Sequence, residues 1–259
     1  MPENVLFNAA ARVAIIAAVC AVAVGPIALM AADNPPTPVL VELFTSEGCS
    51  SCPPADALLR TLDSTQPIPG AQLIVLSEHV DYWDELGWRD PFSSHQFTQR
   101  QAAYADRLRL ATSYTPQMVV DGDAQFVGSD RTRAAQAMEK ARGTAKINLR
   151  ISNIAIENGK LRAHVETDAV PEKAELFVAL VLNHAQSQVL RGENGGHRLE
   201  HVAVVRNLTS AGNVAKGASF AKDVTLTVGP STEQHRLIAF LQEPNQGKIL
   251  GAAQVRVQK

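Results

Sequence analysis

The sequence predicts two domains: an α/β domain with a mixed sheet and flanking helices, then a β-sandwich. Three observations carry that expectation. Up to Gly143, short β-type apolar runs alternate with helical stripes, an order that folds as a sheet with helices on its faces. From Lys146 the apolar pattern changes to period two, the pattern of strands with one buried face. At 259 residues and 46% apolar content, the chain can bury substantial cores.

The elements follow in order. After the Pro-rich linker DNPPTP, the run VLVELF (39–44) reads as a strand and leads into two cysteines, Cys49 and Cys52. ADALLRTLDS carries Ala55, Leu58, Leu59 and Leu62 on one helical stripe that ends near PIPG. AQLIVLSEHV (71–80) is a second buried-type strand. DYWDELGWRDPFSSHQ is irregular and holds both tryptophans, and FTQRQAAYADRLRL after it reads as a helix. PQMVVDGDAQFVG has two β-type runs around Asp121-Gly122, a hairpin pattern. SDRTRAAQAMEKAR opens on a Ser/Asp cap and closes this half with a helix. INLRISNIAIENGKLRAHVETD then sets two alternating runs around Asn158-Gly159, a strong hairpin signal. The remaining runs bring the second half to about seven strands, as in a β-sandwich. The expected domains are 37–143 and 146–259.

The N-terminus differs in kind. Arg12 precedes VAIIAAVCAVAVGPIALMAAD, an apolar stretch followed by small residues, which reads as a secretory signal peptide over residues 1–32. Kept instead of cleaved, Val13–Ala32 would be just long enough for a membrane anchor. Cleavage removes Arg12, Glu3 and Cys20, so the charge stays at -2 and Cys49 and Cys52 remain as the sole cysteines. The expected location is therefore periplasmic or secreted, with no stable membrane insertion. That charge and a pI near 6.4 provide no basic footprint for nucleic acid. An exported protein meets an oxidising compartment, so these two thiols pair with each other or with a partner.

A strand leading into C-x-x-C at a helix start has a mechanical purpose. The helix N-terminus stabilises a thiolate on the first cysteine, lowering its pKa from about 8.5 to roughly 3.5–7.5 in such motifs. On this reading Cys49 is the nucleophile and Cys52, one turn along, resolves the mixed disulfide. Pro53 and Pro54 suit the first turn, where N–H donors are orphans. Two other readings stay open. The pair is a permanent disulfide in a non-enzymatic binding module, although so short a loop gains little from closure entropy. Or Cys49, Cys52 and His79 bind a soft ion such as Cu(I), although no further C-x-x-C or Met-rich segment adds ligands.

The element order and CSSC resemble the thioredoxin superfamily. ELFTSEGCSSCPPAD, HVDYWDELGWRDPFSS, YTPQMVVDG and RGENGGHRLEHVAVVR together resemble a secreted bacterial thioredoxin-like family that carries a domain-of-unknown-function label. The resemblance runs from about Val39 to the C-terminus. It implies a thioredoxin-like fold with an added C-terminal β domain and, as partners, the thiols and disulfides of exported proteins. It also implies that Pro116 is the superfamily's cis-proline, with Thr115 offering its backbone to a substrate peptide. The chain departs from the usual motif in having no tryptophan before Cys49 and Ser50-Ser51 between the cysteines, which leaves the direction of exchange open.

The loop after the second strand leaves the sheet near the cysteines, beyond the carboxyl ends of the strands where such sheets bind ligands. His79, Asp81, Tyr82 and Trp83 are candidates to line the site, with Glu78 or His79 a proton relay and Trp83 or Trp88 a wall for substrate; the structural alternative has His79 and Asp81 bonding the loop and the tryptophans packing between domains. RGENGGHRLEHVAVV holds Arg191, Glu193, His197, Arg198 and His201 around a glycine turn. Its plain reading is a turn with solvated charged flanks; its functional reading is an edge facing the cysteine domain. No organic cofactor is expected, because the redox chemistry can reside wholly in the two sulfurs.

Overall fold

The computed structural model describes residues 35–228 and 234–257. The leader expected over residues 1–32 lies outside them. In the described part, β1 (Thr37–Thr45) leads through the cysteine loop to α1 (Pro53–Thr65), then β2 (Ala71–His79), α2 (His95–Arg107), β3 (Gln117–Val120), β4 (Ala124–Val127) and α3 (Arg131–Arg142). The second half is seven strands: β5 (Leu149–Glu157), β6 (Lys160–Thr167), β7 (Ala174–Gln188), β8 (Arg198–Val214), β9 (Phe220–Thr227), β10 (His235–Gln242) and β11 (Ile249–Val257).

Local chemistry explains the boundaries. Pro53 and Pro54 open α1 where the missing N–H groups cost nothing. Gln66 ends it in the left-handed region, and its side chain bonds Leu73 of β2 at both N and O. Ser94 caps α2 by accepting from Gln96 N, and Asp130 caps α3 by accepting from Arg133 N. Asn158 and Gly159 both have positive φ, as a two-residue primed turn requires.

β1 and β2 run parallel, while β3 is antiparallel to β1 and β4 to β3. Adjacent side chains of β1 face opposite ways. Leu43 lies towards Ala55 of α1, and Phe44 meets Tyr104 of α2 edge-on at 6.0 Å. The helices α1 and α2 therefore cover opposite faces of the sheet.

The second half does not stand apart as a sandwich. β8 pairs with β2 in parallel through Val204 and Ser77, giving a mixed eight-stranded sheet of order β11-β10-β7-β8-β2-β1-β3-β4. The other three strands form a sheet of order β5-β6-β9, which covers one face of β7 and β10. All of β10 is buried, with Ile238 and Phe240 in the core under β1 and β2, and Leu237, Ala239 and Leu241 in the core under β5, β6 and β9. Period two shows that a strand has faces; it does not show which strand lies beside it. Among the described residues, no helix is long and apolar enough to cross a membrane.

Candidate active site around the Cys49–Cys52 pair

β1 delivers the cysteine loop to the end of the sheet. Cys49 N donates to Ser46 O and Cys52 N to Cys49 O, winding the loop into the start of α1. Cys49 and Cys52 form a disulfide with Cα atoms 5.4 Å apart. Ser51 Oγ lies 3.3 Å from Cys49 Sγ, and since a disulfide sulfur carries no proton, the hydroxyl donates. Ser50 and Ser51 are exposed, whereas both cysteines are 0% exposed.

The cover comes from the loop between β7 and β8. Asn194 Nδ2 donates to the carbonyls of Glu47 (2.8 Å) and Cys49 (3.0 Å), and Glu193 Oε2 accepts from Ser50 N at 2.9 Å. The Ser50 side chain, and then this backbone bond, lower the Glu193 carboxyl from its ordinary value. Gly192 presses on Trp88, and its φ of +76° favours glycine. The segment is the expected turn with exposed flanks, but its Asn194 is buried on the cysteine loop.

Under the loop lies a buried polar cluster. Glu47 accepts from Trp88 Nε1 at 2.8 Å, and its own N–H donates to Asp90 Oδ2 at 2.8 Å. Asp90 also holds His79 Nδ1 at 2.7 Å, and His79 Nε2 is 3.2 Å from Ser77 Oγ. Burial would raise the Asp90 carboxyl, but the charge and hydrogen bond of His79 and two backbone N–H groups outweigh it and lower the pKa. His201 of β8 reaches in from the second half, its Nε2 3.3 Å from Glu47 Oε1 and its Nδ1 3.8 Å from Asp56 Oδ1. Burial pulls this imidazole down; Asp56 and Glu47 outweigh burial and push it up to about 10. His201 thus sits buried between the side chains of Glu47 and Asp56.

The residues singled out in sequence separate into two groups. Trp83 is half-buried, bonds Thr115 Oγ1 through Nε1 at 2.8 Å and has its Cβ against Gly48, so it ties the cysteine loop to the Thr115-Pro116 segment. The Thr115–Pro116 peptide is cis. His79 belongs to the cluster under the cysteine loop, with both ring nitrogens engaged there by Asp90 and Ser77.

Glu78 is not brought to the cysteines. Neighbouring strand residues project to opposite faces, and Glu78 lies on the α2 side with Glu42 and Arg100, 3.6 Å from Arg100 Nε. Glu47, Asp56, Asp90 and Asn194 carried no spacing signal. The available hints were charged residues beside the cysteines and His201 inside an apolar β-run. Among the described residues, no group of three or more His, Cys, Asp or Glu is arranged to hold a metal ion.

A strand, a disulfide loop and a helix start, with a bonded β7–β8 loop and a buried polar cluster, define a class of chain with a disulfide at a sheet end. The chain belongs to the family described as Protein of unknown function (DUF1223), which matches residues 40–242. It is similar to the crystal structure of protein AGR_C_4864 from Agrobacterium tumefaciens, with 25% identity, 85% of this chain and 94% of that one covered, and a TM-score of 0.65. The sporulation control protein Spo0M from Bacillus subtilis aligns at 13% identity over 44% of this chain and 49% of its own, with a TM-score of 0.30. No curated protein matches the chain.

Proposed function

We propose that the protein is an exported thiol–disulfide oxidoreductase, periplasmic or secreted, acting on thiols and disulfides of exported proteins. Residues 37–143 form its thioredoxin-like unit and residues 146–259 an added β part. The observation that carries this reading is the Cys49–Cys52 disulfide at the N-terminus of α1. The order β1-α1-β2-α2-β3-β4-α3, with strands arranged β2-β1-β3-β4, supports it. In this reading Cys49 exchanges with substrate and Cys52 resolves. Thr115 and Pro116 shape the groove and Trp83 fixes its wall. Tyr82 and Leu86 on the β2–α2 loop and Leu190 on the β7–β8 loop are exposed at 39%, 61% and 71%, and in this reading they offer apolar surface to a substrate.

The test is the midpoint potential of the pair in glutathione buffers. A value above roughly -250 mV, with mixed disulfides trapped by Cys52→Ser, is expected. A value well below about -300 mV with unreactive sulfurs defeats the proposal. One observation favours that second reading, a binding module with a structural disulfide: both cysteines are 0% exposed.

A further inference from the structure

Cys49 and Cys52 are 0% exposed, whereas exchange requires an incoming sulfur to reach one of them. Part of their surroundings has to move, and the β7–β8 loop is built as a separable piece. Residues 189–197 close on themselves: Val189 N donates to His197 O, Gly196 N to Val189 O, Gly195 N to Gly192 O and His197 N to Asn194 O. Val189 at the base is buried, while Leu190, Arg191, Glu193 and His197 are exposed. Against the β2–α2 loop two glycines meet, since a Cβ on Gly87 would lie 3.3 Å from Gly192 Cα, so neither residue has a side chain to interlock. What fastens the piece to the cysteine loop is polar: Glu193 Oε2 on Ser50 N, and Asn194 Nδ2 on the carbonyls of Glu47 and Cys49. Trp83, on the other side of the cysteine loop, is tied to Thr115 and packs on the core.

One of these fastenings senses the state of the sulfurs. Ser50 N belongs to the peptide bond directly after Cys49, just ahead of α1, where a thiolate on Cys49 is stabilised. A disulfide is neutral, whereas the reduced pair sets a negative charge on Cys49 beside the Glu193 carboxylate. The Ser50 side chain and then its N–H lower the Glu193 pKa, so this group is charged at neutral pH. The other charged groups near the pair belong to the framework beneath the loop. Glu47 of the cysteine loop and Asp56 of α1 face His201 of β8, and His79 of β2 is held by Asp90 of the β2–α2 loop.

We infer that residues 189–197 form a redox-linked strap, seated over the disulfide and released when reduction turns Cys49 into a thiolate. The inference rests on the redox reading above. A substrate thiolate that has displaced the strap attacks Cys49 Sγ, the Cys49–Cys52 bond breaks, and Cys52 leaves with the electron pair and takes a proton from solvent. The substrate's second thiolate then attacks the substrate sulfur of the mixed disulfide, forming the substrate disulfide and releasing the Cys49 thiolate. The substrate loses two electrons, and its two thiol protons pass to solvent; the cysteine pair gains two electrons and one proton. The added negative charge repels Glu193 and keeps the strap off its seat. Linkage makes the effect reciprocal: the seated strap favours the disulfide over the dithiol and lowers the midpoint potential.

The experiment follows backbone hydrogen exchange of residues 189–197 in the full chain, oxidised and after reduction by dithiothreitol, near neutral pH. Exchange is expected to be roughly tenfold faster in the reduced protein, within the range typical of coupling between two sites. Glu193→Gln keeps an acceptor for Ser50 N without the charge. It is expected to exchange slowly in both states and to have a midpoint potential about 30 mV above the wild type, the equivalent of that tenfold. Cys49→Ser combined with Cys52→Ser removes the bond and the thiolate together, and is expected to exchange as slowly as the oxidised protein. If the wild type is reduced and the strap exchanges equally in both states, the strap is overturned and the redox reading stands. If the double-serine chain exchanges as fast as the reduced wild type, loss of the cross-link frees the loop, and the inference is likewise overturned. If the wild-type disulfide resists dithiothreitol, both fall. Exchange of β1 and β2 in the same samples separates a released strap from lost folding.

Discussion

Glu78 carries no hydrogen bond on either carboxylate oxygen and is wholly buried. Burial, then the negative charge of Glu42, raise its pKa well above the ordinary 4.5, and Arg100 opposes them incompletely. Arg100 is already committed to Glu42 at 2.6 Å, with Gln242 and Gln246 taking further donors. The sign of the pH effect follows. As pH rises above 4.5 the unfolded chain gives up this proton first, so the folded state binds more protons and stability falls until the folded pKa is passed. Glu78→Gln cannot ionise. It is expected to be more stable than the wild type by on the order of 1 kcal/mol at about pH 8. Urea titrations should show that advantage shrinking towards about pH 4, and a constant difference across that range would refute the assignment. Sequence spacing identified Glu78 only as a neighbour of His79. Strand alternation then sends the two to opposite faces, and only His79 ends near the cysteine loop. A single buried charge has no periodic signature; its partners, such as Arg100 58 residues beyond Glu42, are a product of the fold.

At the scale of elements, the β7–β8 loop is fastened to the cysteine loop through Glu193 and Asn194. Asn194→Ala leaves the buried carbonyls of Glu47 and Cys49 without this donor, and a loss of about 1–3 kcal/mol is expected. The same change should expose the pair, so that iodoacetamide modifies the reduced protein several-fold faster. Glu193→Ala acts differently. It removes an acidic acceptor from Ser50 N and frees that donor for a Cys49 thiolate. The Cys49 pKa, read from alkylation rate against pH, should fall with no change in folding. An unchanged profile would mean that Glu193 merely fastens the loop. The Asn-Gly-Gly sequence announced the turn correctly, because turn chemistry is local. The contact of Asn194 with Cys49 O spans 145 positions, and hydrophobic period holds no information at that range. The cysteine loop itself was readable because all its parts are consecutive: apolar run, C-x-x-C, paired prolines, helical stripe.

For the whole molecule, the strand pattern revealed all seven strands of the second half but not their joining to the first. β8 meets β2 through one residue pair, Val204 and Ser77, so backbone pairing alone is a slender connection. The shared core is not slender. Val41, Phe44 and Ile74 pack in one cluster with Ala179, Val205, Ile238 and Phe240, and the Arg100 network adds bonds from α2 to Gln242 and Gln246. Asp63 of α1 further receives a two-pronged ion pair from Arg236 of β10, both bonds at 2.8 Å. Separating the halves would expose the apolar face of β1 and β2 on one side and of β7 and β10 on the other. Neither half is expected to unfold alone, and the described residues from Pro35 onward form one compact unit. Both tryptophans lie in the first half, whereas most strand residues lie in the second. Tryptophan fluorescence therefore follows one half, and the far-ultraviolet strand signal mainly the other. In a urea titration the two curves are expected to coincide in midpoint and slope, the mark of an all-or-none transition. Two separate midpoints would show that residues 37–143 and 146–259 are independent folding units, and that the contacts of His201 and Asn194 with the cysteine loop are a docking of domains.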